Sequence, residues 1–213
     1  MSRRACEFLG LDYEKQRIIT CHIGNGASIT AIADGKSIDT SMGLTPTEGL
    51  MMGTRVGDVD PGALVYLMEQ EGLDAKGLSN LINKRSGVAG ITEGSSDMRD
   101  VEDAIARGDE RAKLAMDMYE YRILKYIGAY AAVLGGVDVI VFTAGVGENQ
   151  ISTREAICRK LAFMGVTFNA EANRKRSQEV EISGPDSKIH VVVIPTDEEL
   201  MIAKDTAEIV ERL

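Results

Sequence analysis

Residues 17–41 read RIITCHIGNGASITAIADGKSIDTS, and this stretch decides the fold. Ile18, Ile19 and Ile23 lie in a β-branched run that predicts a strand over 17–23. Apolar and polar residues then alternate through SITAIAD, which predicts a second strand over 28–34. Asp34-Gly35 is a strong two-residue hairpin signal, and a third strand follows over 36–41. Three short strands joined by tight turns make an antiparallel meander.

On the N-terminal side, residues 1–10 read as the end of a helix closed by Gly10. On the C-terminal side, 42–60 is a long, glycine-rich stretch without periodicity, and loops of that length in a compact domain tend to carry function. Asp60 before Pro61 is an N-cap followed by proline at the first helical position, predicting a helix to about residue 70. Further helices are expected over 74–85 and 109–134. In the latter, Ala112, Met116, Tyr119, Ile123, Tyr126, Tyr130 and Val133 step by three or four along one face. The apolar run VDVIVF at 137–142 predicts a strand covered on both faces. A helix over 150–162, a strand over 189–194 and a helix over 197–212 complete the chain, the last opened by a capping box from Thr196 to Glu199. The order βββ, helices, β, α, β, α implies an α/β domain with a mixed sheet and helices on both faces.

Composition bounds the function. The chain has 213 residues, of which 44% are hydrophobic and 27% charged, so it is long enough for one self-sufficient core. Its net charge of −9 disfavours nucleic acid and anionic membranes as partners. The one basic run, Arg174, Lys175 and Arg176, reads as a solvated face. Cys6, Cys21 and Cys158 form no close pair, and no apolar segment follows the arginines at positions 3 and 4, so a reduced, cytoplasmic protein is expected. With only His22 and His190, a histidine–cysteine metal centre is not expected.

The glycines gather beside apolar segments, and three such places carry candidate chemistry. Between the first two strands lies His22-Ile23-Gly24-Asn25-Gly26, where a Gly-x-Gly hairpin would let backbone N–H groups approach an anion. An ordinary glycine hairpin with a satisfied histidine would read the same. In the loop 42–60, Arg55 stands between Gly53 and Gly57, where its fork could meet a phosphoryl group or simply lie on the surface. Asp58 and Asp60 could suggest a metal pair, although capping already accounts for Asp60. Beyond the strand at 137–142 comes Gly145-Val146-Gly147-Glu148-Asn149, a Gly-x-Gly turn between strand and helix with Gln150 where a dinucleotide fingerprint would need its third glycine. Two weaker candidates are Asp97-Met98-Arg99, which also reads as a helix cap, and Glu198 in the first turn of the last helix. Together these turns favour a nucleotide phosphotransfer site at one sheet edge.

The segment CHIGNGASITAIADGKSIDTSMGLTPTEGLMMGTRVGDVDP resembles the signature of acetate kinases, and SSDMRD, VFTAGVGEN and VVVIPTDEELMIAKDT are similar to that family's later segments. Propionate and butyrate kinases share much of the pattern. The resemblance covers the whole chain. It implies a ribonuclease H-like domain of the acetate and sugar kinase, heat-shock chaperone and actin superfamily, acting as the C-terminal nucleotide-binding and dimerisation half (residues 1–213) of a two-domain kinase. It implies reversible phosphoryl transfer from ATP to acetate, giving acetyl phosphate and ADP, with Mg²⁺ or Mn²⁺. Arg55 and His22 would act on the transferring phosphoryl group. His22 through Gly26, Asp97 through Arg99 and Gly145 through Asn149 would hold the nucleotide, and Glu198 would support the metal. The implied partners are an N-terminal half of the same enzyme and a second copy in a homodimer. The family's N-terminal half, with its magnesium-binding asparagine, acetate-site arginine, catalytic aspartate and second histidine, has no counterpart in this sequence. The isolated chain is therefore expected to turn over negligibly. A non-catalytic nucleotide-binding or dimerising module, and a kinase of another short acyl substrate, are the other readings.

Overall fold

A computed structural model describes residues 1–212. The meander is present as β1 (Ile18–Ile23), β2 (Ala27–Ala33) and β3 (Lys36–Thr40), after a helix α1 (Ser2–Leu9) that ends on left-handed Gly10. Asp34 and Gly35 have φ of 50° and 70°, the doubly left-handed pair of a tight hairpin. Five helices follow: α2 (Pro61–Glu71), α3 (Ala75–Lys84), α4 (Gly87–Thr92), α5 (Met98–Ala106) and α6 (Glu110–Val133). The chain then runs through β4 (Val139–Thr143), α7 (Ala144–Asn149), α8 (Ile151–Lys160), β5 (Val180–Glu181), β6 (His190–Val193) and α9 (Glu198–Glu211).

The six strands form one mixed sheet in the order β3-β2-β1-β4-β6-β5. β1 pairs antiparallel with β2 and parallel with β4, which in turn runs parallel to β6. The carboxyl ends of β1, β4 and β6 therefore point to one edge, where open α/β sheets place their ligands. Alternation within single strands gives two core layers. Ile19, Cys21, Ile140 and Phe142 pack with Tyr119, Ile123 and Ile157 of α6 and α8. Ile18, Val139, Val141 and Val192 pack on the other face with Ala5 and Cys6 of α1. Helices thus cover both faces, as the doubly apolar β4 requires.

Several local expectations are corrected. Thr196 does not cap the last helix; Asp197 does, accepting from the Leu200 N–H at 3.0 Å. The Thr196 hydroxyl is engaged instead by Thr143 Oγ1 at 2.8 Å and by the Ala144 N–H at 3.1 Å. On α6 the buried face includes Ala115, Glu120 and Ile127, whereas Val133 is exposed where the helix runs out toward Gly135 and Gly136. The stretch 86–106, for which the sequence implies only a cap at Asp97, holds α4 and α5, and Asp97 does cap the latter. Residues 145–149 lie inside α7 rather than in a turn ahead of it. Asp60 caps α2 as expected, at 2.9 Å from the Gly62 N–H. Asp58 is occupied by the Gly49 N–H, Tyr126 Oη and Arg122, and no cluster of metal-ligating side chains occurs among the described residues.

Candidate functional site

A cleft opens at the carboxyl ends of β1 and β4. Its first lobe, about 490 Å³, is lined by Gly24 and Asn25 of the β1–β2 hairpin, Asp97, Met98, Arg99 and Glu102 of α5, Gly145, Val146, Asn149 and Gln150 around α7, and Arg176. A second lobe of about 350 Å³ shares Gly24, Asn25, Asp97, Met98 and Val146 and adds Gly53, Ser96 and Tyr119. Three segments far apart in sequence thus meet at one place, the edge where both neighbouring strands end.

The hairpin is closed by the Gly24 N–H donating to the Gly26 carbonyl at 3.0 Å. Neither Gly24 nor Gly26 is left-handed, so the hairpin is not a nest of alternating backbone N–H groups. Gly26 lies close to the arginine: a Cβ there would stand 3.0 Å from Arg55 Nη1 and the guanidinium tip would have to shift. Arg55 is half-buried, and its loop is fixed from two sides. The Gly53 N–H donates to the Asn25 carbonyl at 3.3 Å, and the Val88 and Ala89 N–H groups donate to the Met52 and Gly53 carbonyls at 2.9 Å. Among the described residues its guanidinium makes only weak contacts, to the Pro46 carbonyl at 3.3 Å and Met52 Sδ at 3.4 Å. A cation held beside the cleft with most of its donors free can bind an anion bidentately.

Asp97 caps α5 through the Arg99 N–H at 2.9 Å, and the Arg99 side chain forks back onto the same carboxylate at 3.0 and 2.6 Å. The Arg99 fork and N–H lower the Asp97 pKa to about 2, so it is an anion at any working pH. The pair leaves little net charge on that wall.

α7 starts at a strained turn. Ala144 has φ of 64°, uncommon for a residue with a side chain, and Thr196 accepts its N–H. Gly147 packs against the backbone of Phe142 and Cys21, and Glu148 Oε1 accepts from the Thr196 N–H at 2.8 Å. Beneath α7 lies Arg154, fully buried and without a carboxylate partner among the described residues. It donates to the Gly147 and Glu148 carbonyls at 3.0 and 2.7 Å, to Asn173 Oδ1 and O at 2.7 and 2.8 Å, and to the Lys175 carbonyl at 3.1 Å. Burial pulls its pKa down to about 10.

Of the candidates read from sequence, Gly24, Asn25, Asp97, Met98, Arg99, Gly145, Val146 and Asn149 border the cleft, and Gly26 with Arg55 stands beside it. His22, Ile23, Gly147, Glu148 and Glu198 border neither lobe. Ile23 is core, and His22 alternates with buried Cys21 and Ile23, which puts it on the other face of β1. Glu198 is exposed on the first turn of α9. The wall also uses residues the sequence did not single out for the site: Glu102, Gln150, Tyr119 and Arg176. Tyr119 packs in the core as its spacing on α6 implies, Gln150 stands where the third glycine of a dinucleotide fingerprint would be, and Arg176 is exposed in its basic run.

Comparison with known proteins shows the family of the chain. The model of the acetokinase family matches residues 1–204. Acetate kinase from Porphyromonas gingivalis (strain W83) is 64% identical over 212 residues, covering 99% of this chain and 53% of that relative. A crystal structure of Porphyromonas gingivalis acetate kinase superposes with a TM-score of 0.96 at 64% identity, over 98% of this chain and 53% of that one. A propionate kinase structure from Francisella tularensis gives a TM-score of 0.87 at 42% identity, over 95% of this chain and 51% of that one. The chain spans about half the length of the curated relatives it matches.

Proposed function

The chain belongs to the acetokinase family, and from that premise we propose that it is the nucleotide-binding and dimerising part of an acetate kinase. The reaction is reversible phosphoryl transfer from ATP to the carboxylate of acetate, giving ADP and acetyl phosphate. The observation that carries this reading is the convergence of the β1–β2 hairpin, the start of α5 and α7 on one cleft, with Arg55 beside it. Phosphoryl transfer is mostly positioning and charge stabilisation, and these parts supply both.

Arg55 takes the transferring phosphoryl group, with its fork matched to planar, equatorial oxygens. His22, which borders neither lobe, would add a donor only from the opposite face of β1. Gly24–Gly26, Asp97–Arg99 and the segment Gly145–Asn149 hold the nucleotide, the last with Gly145, Val146 and Asn149 at the cleft and Gly147 and Glu148 behind them. Glu198 presents one exposed, hard-oxygen carboxylate; this suits Mg²⁺, or Mn²⁺ in its place, which keeps waters and phosphate oxygens in its shell and needs no all-protein cage. The cation would offset phosphate charge. The acyl pocket and the remaining acid–base groups belong to a second, N-terminal half.

The dimer reading rests on unpartnered helices. α2 and α3 bury no residue, and Val65 and Tyr66 of α2 with Leu114, Met118 and Tyr121 of α6 are exposed. A second copy is the proposed cover, and the cytoplasm the proposed location; no described helix is long and apolar enough to cross a membrane. A propionate substrate is the second reading, favoured by the Francisella tularensis propionate kinase neighbour.

An acetyl phosphate assay tests the proposal, on the 213-residue chain alone and joined to a relative's N-terminal half. The joined protein is expected to turn over and the chain alone is not. Arg55→Ala in the joined protein should lower kcat far more than nucleotide affinity. Full turnover by the chain alone, or equal losses in kcat and affinity, refutes the assignment.

A further inference from the structure

Two buried side chains among the described residues carry polar atoms with no hydrogen-bond partner in the chain: Tyr119 through its hydroxyl, and Gln150 through both amide atoms. Both border the cleft, Tyr119 in the second lobe and Gln150 in the first. Among the described residues the fully buried side-chain nitrogens and oxygens without a partner all lie at this one cleft, which points to something that enters it.

Gln150 is the more informative of the two. It is 5% exposed, and its backbone is fully used: its N–H donates to the Val146 carbonyl at 2.9 Å and its carbonyl accepts from the Arg154 N–H at 3.3 Å. The residue is therefore fixed in place at its backbone, while its amide, closed off from solvent in this rotamer, keeps one acceptor and two donors that a side-chain rotation turns into the lobe. The lobe around it suits a flat ring. Met98 is buried and Val146 half-buried, both apolar, and no atom lies within 4 Å of where a Cβ would stand on Gly145. Arg55 reaches the hairpin at Gly26, two residues beyond Gly53 of the second lobe, so the charged end of a ligand belongs there and its ring end beside Gln150.

Resting on the reading of the cleft as a nucleotide site, we propose that the Gln150 amide reads the donor–acceptor edge of the purine base. An amide meets the adjacent amino group and ring nitrogen of adenine with two hydrogen bonds, which a hydrocarbon side chain cannot imitate. Gln150 is then a specificity residue: it touches the base and takes no part in the phosphoryl transfer.

Calorimetric titration of the 213-residue chain tests this with three probes: ATP, purine riboside triphosphate (which lacks the exocyclic amine) and inorganic tripolyphosphate. The wild-type chain should prefer ATP to the purine analogue by about tenfold, the worth of one well-made hydrogen bond. Gln150→Met, similar in length and without polar atoms, should erase that preference and weaken ATP by about tenfold or more while leaving tripolyphosphate binding unchanged. The wild-type preference stands as evidence even if the variant fails to fold. Equal affinity of the wild-type chain for ATP and the analogue overturns the inference, as does a variant that keeps the preference or loses ATP and tripolyphosphate alike. In each of those cases the nucleotide reading survives, because ATP still binds the wild-type chain. A wild-type chain that binds none of the probes overturns both.

Discussion

Replacing Arg154 by methionine should destabilise the fold and loosen α7 more than the rest of the molecule. The side chain makes five hydrogen bonds to oxygens of residues 147, 148, 173 and 175. Methionine fills similar volume and satisfies none of them. A buried acceptor left bare costs about 1 kcal/mol at the low end, and carbonyls sit at that end because they have a second lone pair. Against this stands relief. Burial pulls the pKa down from the usual arginine value to about 10, so the charged form is held at a net disadvantage of about 3 kcal/mol relative to water. Three of the acceptors lie in buried contacts and two in part-buried ones that water can partly serve, so together they exceed that relief by about 1 kcal/mol. In a urea titration the midpoint should fall with the slope unchanged. Amide exchange should accelerate most at 145–149 and 173–176, the two segments the guanidinium joins. An unchanged midpoint, or exchange that accelerates evenly along the chain, would refute the bracing role.

Two further outcomes follow from the core. Glu120 of α6 is buried, and burial raises its pKa from 4.5 to about 7, with Asp117 adding to the rise and Lys160 opposing it. A carboxyl whose folded pKa lies above its unfolded one contributes stability below the unfolded value and loses it as pH rises through the folded value. Unfolding free energy from this group should therefore drop by about 3 kcal/mol between pH 4.5 and 8, and Glu120→Gln should flatten that slope in urea titrations at pH 5 and 8. Gly87 opens α4 with φ of 63°, and a Cβ there would collide with the carbonyls of Met52 and Arg55. Gly87→Ala should cost about 2 kcal/mol or more and displace the Arg55 loop, seen as a lower thermal midpoint together with weaker tripolyphosphate binding. Normal binding by a destabilised variant would separate that loop from the site.

What the sequence made legible depended on whether a signal was local. The meander, the Asp34-Gly35 hairpin and the Asp60 cap are settled within a few residues, and the structure agrees with all three. The cleft was legible as glycine turns at strand ends, because strand direction alone brings β1 and β4 to one edge. The rest was not local. Thr196 and Asp197 are both competent caps, and the choice between them was made by Ala144 and Thr143, more than fifty residues away. Arg154 looks like any helical arginine until the carbonyls of α7 and residues 173–175 close over it. Tyr119 falls on the apolar stripe of α6, so its pattern cannot distinguish a core ring from one whose hydroxyl borders a cleft. Arg176 belongs to a basic run that is solvated, yet the run's last member still reaches the cleft wall.

The ties around Thr196 explain how an exposed carboxylate at the start of a helix can serve a site whose walls lie elsewhere. Thr196 is bonded at three points to the β4–α7 turn: through Thr143 Oγ1, the Ala144 N–H and Glu148 Oε1. The chain leaving β6 is thereby fastened to the element that carries Gly145, Val146 and Asn149, and Glu198 follows two residues later. α9 needs no extensive packing of its own to present that side chain, since its first turn is set by the knot and by the Asp197 cap. Glu148 borders neither lobe, yet its side chain is one strand of this knot. In the proposed reaction its contribution is to hold the nucleotide wall and the metal carboxylate as one mechanical unit. A chain with net charge −9 binds polyphosphate only if local cations and backbone amides are held in fixed geometry. The bracing by Arg154 below α7 and by Thr196 above it is what fixes that geometry.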